Sequence, residues 1–132
     1  MPRVLTILLL LTDWGFILYW SITALVSFNI INLPPSWLFK DYHDPNIVAW
    51  NWSFMPLDLL ASATGLWALH IANRGEQWRS SALISITLTF CAGFLALSFW
   101  TFQRSFDLGW WLPNLFLMLW PLFMLQSLRT ET

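Results

Sequence analysis

Charged side chains are scarce in this chain. Only 10% of its 132 residues are Asp, Glu, Lys or Arg, whereas 58% are hydrophobic. The mean hydropathy of +0.60 lies outside the range of soluble globular domains, because no aqueous fold hides that much apolar surface. The formal net charge is −1 and no cluster of Lys and Arg is present. Nucleic-acid binding, which needs a basic surface, is therefore excluded.

Cysteine is limited to Cys91, which rules out a disulfide framework and a cysteine-rich metal site. Neither Cys91 nor His70 has the base or orienting group that covalent catalysis requires. Asp41, His43 and Asp44 are metal-ligand types in close sequence, but such residues in a polar loop are usually solvated. We therefore predict no catalytic residue, no metal site and no cofactor, and we expect a protein that is not an enzyme.

Long apolar segments take up most of the chain. A hydrocarbon core of about 30 Å needs about 20 helical residues per crossing. Four segments are long enough, at residues 4–28, 54–72, 78–102 and 108–128. We predict an all-α integral membrane protein whose single domain is a four-helix transmembrane bundle. The long connection at residues 29–53 is expected to form an ordered cap on the outer mouth of this bundle.

Arginine and lysine are unevenly distributed between the two ends of the predicted bundle. Four spans place both termini and the second connection on the same side. That side has four basic residues: Arg3, Arg74, Arg79 and Arg129. The opposite side has two, Lys40 and Arg104. The positive-inside rule then predicts a protein of the bacterial plasma membrane with both termini in the cytoplasm.

Two aspartates lie within the predicted spans, Asp13 in the first and Asp58 in the second. A charged residue at membrane depth costs at least about 2.5 kcal/mol, so such residues face the interior of a bundle. At a rise of 1.5 Å per residue, Asp13 lies near the midplane, whereas Asp58 and Asn114 lie roughly 6 to 9 Å below the outer surface. Asp58 and Asn114 can therefore contact each other, whereas Asp13 can reach them only through another group that lies between them.

These aspartates have two interpretations. The functional one is a ligand or proton site in the outer half of the bundle, with tryptophans near its mouth. In the structural one, the aspartates only join helices, and Asp58, close after Pro56, caps the first turn of its helix. The functional interpretation predicts a ligand-binding set of polar anchors and tryptophans: Asp13, Trp20, Trp52, Asp58, Trp100, Trp111 and Asn114.

Three stretches carry a resemblance to a known family. They read LLTDWGFILYW, LFKDYHDPNIVAWNWSFMPLDLLASATGL and FDLGWWLPNLFLMLWPLF. With them the chain resembles the YvaD-like family of small bacterial membrane proteins over nearly its whole length. This resemblance implies membrane residence and no particular activity.

A more distant resemblance is to the emopamil-binding and sigma-2-receptor superfamily of four-helix membrane proteins. It lies in the layout: a long loop with Asp44-Pro45, an acidic residue at Asp58, and a fourth span that contains proline. The resemblance implies a cavity for sterol-like or amphiphilic amine ligands. The sterol isomerases of that superfamily use membrane-embedded histidine and glutamate. The spans here contain no glutamate and only the peripheral His70, so isomerase chemistry is not expected.

The sequence thus favours a protein that binds a hydrophobic or amphiphilic small molecule, or a lipid, in a pocket within the bundle. Its expected partners are the lipid bilayer, this small molecule, and a membrane protein or a second copy of the chain. An alternative is a non-catalytic accessory subunit of a larger membrane complex, because eleven tryptophans and little extramembrane mass suit a spacer. A small transporter is a third class, although no inverted repeat supports it. The sequence alone does not separate binder from subunit.

Overall fold

A computed structural model of the chain describes residues 1–38 and 41–130. These two ranges contain four α-helices, one short 3₁₀ helix at Pro35–Trp37 and no strand. All four α-helices are long and apolar enough to cross a membrane, which confirms the predicted all-α class with four helices. The α-helices are α1 (Arg3–Ser27), α2 (Pro45–Asn73), α3 (Arg79–Phe102) and α4 (Leu108–Thr130).

The helices run up and down, and each packs along the next one in sequence. We call the end with the chain termini and the α2–α3 turn the terminal end, and the opposite one the loop end. Helices α1 and α4 make few contacts with each other. At the terminal end, Leu5 and Leu9 of α1 share an apolar core with Trp120 and Leu128 of α4 and Ile86 of α3. Toward the loop end, α1 and α4 therefore leave a space between them.

Helices α1, α2 and α3 end in the same way, with a residue of positive φ after the last turn. These residues are Asn29 (φ 57°), Gly75 (φ 74°) and Arg104 (φ 54°). In each case two backbone N–H groups after the helix donate to carbonyls of its last turn, the pattern of a Schellman motif. After α2 and α3 this geometry satisfies the terminal carbonyls and turns the chain sharply enough to form antiparallel hairpins.

Helix α2 begins at Pro45, not at Phe54 as predicted. The side chain of Asp44 caps it by accepting a hydrogen bond of 2.9 Å from the backbone N–H of Asn46, and proline suits the first helical position because it needs no donor there. Apolar content alone missed this start, since residues 45–53 mix tryptophan with polar side chains. Asp58 consequently lies in the helix interior, so its predicted role as a first-turn cap is wrong.

The predicted cap at residues 29–53 is also revised by this earlier start. Residues 45–53 belong to α2. In the preceding connection the 3₁₀ helix buries no residue, and Trp37 and Ile30 are exposed. Lys40, one of the basic residues used to predict orientation, lies outside the described residues. The described part of the connection is therefore a surface segment and not an ordered cap. Residues 45–53, which were expected to form part of this cap, belong instead to helix α2.

Polar side chains are buried inside the bundle, whereas many large apolar ones cover its outside. Three serine hydroxyls donate across helices: Ser62 to the backbone carbonyl of Asp13 (2.9 Å), Ser85 to that of Ala61 (2.7 Å) and the half-buried Ser81 to that of Thr64 (2.7 Å). Such bonds contribute about 0.6 kcal/mol each in a membrane, where small residues also permit close packing. This arrangement suits a lipid solvent. The buried polar residues are Thr12, Asp13, Asp58, Ser62, Ser85 and Thr89.

Candidate functional site

A cavity of about 290 Å³ lies between the four helices in the loop-end half of the bundle. This volume is at the lower end of the range of small-molecule sites, about 300–1,000 Å³. Every helix contributes to its lining, for example Phe16 of α1, Phe54 of α2, Ala96 of α3 and Leu117 of α4. The cavity is thus an internal feature of the bundle and not a groove on one helix.

Aromatic rings from all four helices form the loop end of this cavity. Trp50 packs edge-on against Trp100, with 5.4 Å between ring centroids. Tyr19 packs edge-on against Trp20 at 5.0 Å and against Trp110 of α4 at 6.3 Å. Aromatic faces attract cations and apolar groups alike. This end of the cavity therefore suits a group that is both positively charged and partly apolar.

Asp58 is the acidic residue of the lining. Its Oδ2 accepts a hydrogen bond of 2.9 Å from Nε1 of Trp20, which fixes the orientation of the carboxyl group. Its Oδ1 is buried and has no hydrogen-bond partner among the described residues. Within residues 1–38 and 41–130, no Lys, Arg or His lines the cavity. A buried carboxyl oxygen without a donor is costly, and a ligand that supplies a donor or a positive charge removes this cost.

Three further polar residues line the cavity: Thr12, Asn51 and Asn114. The amide oxygen of Asn51 accepts from the hydroxyl of Tyr19 (3.3 Å), and Nδ2 of Asn114 donates to the backbone carbonyl of Trp110 (2.8 Å). The hydroxyl oxygen of Thr12 is buried without a partner among the described residues. The described lining therefore includes two fully buried polar atoms without a partner, on Thr12 and Asp58, among largely apolar residues.

The structure brings four of the seven predicted ligand-binding residues to the cavity. These are Trp20, Asp58, Trp100 and Asn114. Trp52 lies behind this wall, with its ring centroid 5.3 Å from that of Trp20. Trp111 lies at the α3–α4 turn, where its Nε1 donates to the carbonyl of Ser105 (2.7 Å). Trp52 and Trp111 thus support or border the site without forming its lining.

Asp13 lies outside the cavity lining. Its side chain is completely buried and packs against Gly65 of α2, where an added Cβ would collide with its Oδ2 and lie 2.6 Å from Oγ of Ser85 on α3. Both carboxyl oxygens lack a hydrogen-bond partner among the described residues. The structure therefore places Asp13 at the contact of α1 with α2 and α3, away from Asp58 and Asn114.

Among the cavity residues that were not predicted as site residues are Tyr19, Trp50, Asn51 and Trp110. Trp50 and Asn51 were assigned to the loop because the start of α2 was placed too late. Trp110 lies four residues before Asn114, so the two share a helical face. Trp111, three residues before Asn114, also has a spacing that places two residues on one face, so the sequence does not distinguish Trp110 from Trp111. Tyr19 directly precedes Trp20, and no pattern in the sequence indicates that both rings reach the cavity.

Comparison with known proteins identifies the family. Residues 5–132 match the model of a family of unknown function, DUF5360. The chain is 48% identical over 131 residues to a protein of Bacillus subtilis (strain 168) described as "Uncharacterized protein YvaD", covering 98% of this chain and 94% of that protein. No solved structure matches. The distant resemblance to the emopamil-binding and sigma-2-receptor superfamily stays a prediction. The chain therefore belongs to the DUF5360 family.

Proposed function

We propose that this protein resides in the bacterial plasma membrane with both termini in the cytoplasm, and binds an amphiphilic small molecule or lipid in the cavity between its helices. The supporting observation is the buried Oδ1 of Asp58, which has no partner among the described residues, in an aromatic lining to which no described Lys, Arg or His contributes. The polar group of the ligand is a hydrogen-bond donor that carries positive charge, because this chemistry satisfies Asp58 and is attracted to the faces of Trp50 and Trp100.

An alkylammonium ion is the simplest probe of this chemistry. We expect decylammonium to raise the thermal unfolding midpoint of the protein in lipid nanodiscs more than decanol or decyl sulfate at the same mole fraction, because a ligand that binds only the folded state stabilises it. All three share the same chain length and differ in the polar group. A desolvated cation over aromatic rings gains about 2 kcal/mol, which corresponds to roughly a tenfold preference or more for the cation.

Asp58→Asn tests whether this preference arises at Asp58. The amide oxygen still accepts from Trp20, but the negative charge is gone, so the preference for decylammonium over decanol should disappear. Asp41→Asn is the matched control, since it removes the same charge from an exposed position in the connection. An equal response to decylammonium in the wild type, Asp58→Asn and Asp41→Asn proteins would mean that the probe acts on the bilayer and not in the cavity.

The proposed orientation is tested separately by cysteine accessibility. It is motivated by the four basic residues at the terminal end, two of which are Arg3 and Arg74. In a Cys91→Ser background, we expect an impermeant maleimide to label His43→Cys on intact cells and Gln77→Cys only after lysis. His43 and Gln77 are both exposed, so burial does not bias the comparison. Labelling of Gln77→Cys alone on intact cells would reverse the orientation.

A further inference from the structure

The side of the cavity between α1 and α4 is open. Resting on the proposed function, we infer that this gap is a lateral window through which the apolar chain of a membrane amphiphile passes from the leaflet at the loop end into the cavity. The ligand therefore enters from the bilayer. In the bound state its polar group lies at Asp58 and its apolar chain lies in the window. Nothing in this route requires passage through the aqueous phase.

The contacts between α1 and α4 define the position of the window. At the terminal end, Leu5 and Leu9 pack in one core with Trp120 and Leu128. Near the loop end, the rings of Tyr19 and Trp110 meet edge-on across the same two helices. Between these contacts the helices line the cavity without closing it. The opening is thus bounded above and below by contacts between α1 and α4.

The exposure of the lining residues shows which way the cavity opens. The exposed ones all lie on α1 and α4: Leu11, Gly15, Pro113 and Phe116. The lining residues at the loop end, including Trp100, are buried or half-buried. A Cβ added at Gly15 would meet no atom within 4 Å, so space continues outward from this position. The opening therefore faces sideways, through residues that carry no polar side chain.

The position of the window along the helices fits hydrocarbon. Gly15 is the central residue of α1, which runs from Arg3 to Ser27, so the opening lies near the middle of a span of membrane length. With the exception of Thr12, the lining becomes less polar from the loop end toward the middle of the bundle, as a leaflet does from its surface toward its centre. Asn51 and the rings of Trp50 and Trp110 lie toward the loop end, while Leu11 and other apolar residues lie toward the middle. A chain can therefore occupy the window without leaving an apolar environment.

A long-chain primary alkylammonium with a photoreactive diazirine in the middle of its chain tests this window, because its cation matches Asp58 and its chain keeps it in the bilayer. The full-length protein is placed in nanodiscs with this amphiphile, irradiated, and mapped by mass spectrometry. Helix α3 contains its own internal reference: Ala92 and Ala96 are buried and line the cavity, whereas Phe94 and Leu95 are exposed on the outside. We expect labelling at Ala92 and Ala96 as well as at the two outer residues.

Filling the window should abolish only the inner labelling. Gly15→Trp places a large side chain where nothing opposes it, so we expect labelling of Ala92 and Ala96 to fall to background while that of Phe94 and Leu95 persists. Leu18→Trp is the matched control, because Leu18 is exposed on α1 outside the cavity lining, and it should label as the wild type does. The persistence of outer labelling and an unchanged thermal unfolding midpoint establish that Gly15→Trp is folded.

The outcomes separate the window from the proposed function. Labelling restricted to Phe94 and Leu95 in the wild type, together with an Asp58-dependent response to decylammonium, would overturn the window and leave the binding function intact. Inner labelling that survives Gly15→Trp would also overturn the window, since the chain would then reach the cavity by another path. Absence of both the inner labelling and the decylammonium response would overturn both proposals.

Discussion

Gly93→Ala is expected to destabilise the bundle by about 1–3 kcal/mol, the usual cost of an overpacked contact. A Cβ at this position of α3 would lie 2.6 Å from the backbone oxygen of Asn114 and 2.8 Å from the backbone nitrogen of Met118. Both atoms belong to the backbone of α4, so no side-chain rotation relieves the collision and the two helices must separate. The free energy of unfolding, measured by sodium dodecyl sulfate titration in mixed micelles, reports this change.

Gly15→Ala is the control for the backbone effect of the same substitution. Gly15 is also inside a helix, but a Cβ there meets nothing within 4 Å. Since alanine favours the helix over glycine by about 0.5–1 kcal/mol, this variant should be as stable as the wild type or more so. Equal stability of the Gly93→Ala and Gly15→Ala variants would contradict the close approach of α3 and α4.

Gly65→Ala is expected to destabilise the bundle to a similar extent, but for a reason that can be reversed. The added Cβ would collide with the carboxyl group of Asp13 and lie 2.6 Å from Oγ of Ser85. These are side-chain atoms. Removing the carboxyl group by Asp13→Ala should therefore relieve the closer of these two collisions and leave only the contact with the Ser85 hydroxyl. In a double-mutant cycle of unfolding free energies, we expect Asp13→Ala to recover stability in the Gly65→Ala background, with a coupling of about 0.5–3 kcal/mol.

The contrast with Gly93 makes this cycle specific. Asn114→Ala should not rescue Gly93→Ala, because the atom that collides there is the backbone oxygen, which alanine retains. If Asp13→Ala failed to recover stability in Gly65→Ala, the carboxyl group would not occupy the space beside Gly65. A rescue of both glycine variants by their partner substitutions would instead indicate a general loosening of the bundle.

The apolar runs of the sequence predict most of the fold, because lipid exposure requires about 20 consecutive apolar residues whatever the tertiary contacts are. Helix α2 is the exception. Its first two turns contain Trp50, Asn51 and Trp52, which are too polar or amphipathic for a hydropathy window. The start is instead marked by Asp44-Pro45, a capping residue followed by proline at the first position. This capping signal would have located the start of α2, which the average hydropathy over a span missed.

The candidate site was predictable only in part. Depth placed Asp58 and Asn114 at a common level, and both line the cavity. Depth says nothing about the direction in which a side chain points around the helix axis. Asp13 and Trp111 were expected to line the cavity, and both point elsewhere. Asp13 points toward Gly65 because a glycine on α2 leaves room there, a contact between residues far apart in sequence. The rotation and pairing of helices are set by such contacts and not by composition.

The occupancy of the cavity can be observed directly in crystals grown from a lipid mesophase with 10-bromodecylammonium, in which anomalous scattering locates the bromine at the end of the chain. We expect the ammonium nitrogen about 3 Å from Oδ1 of Asp58, at hydrogen-bond distance, and the bromine in the gap between Gly15 and Phe116. Bromine found only around the outer surface of the bundle, with ordered water or side chains filling the space beside Asp58, would contradict the proposal that this cavity binds an amphiphile.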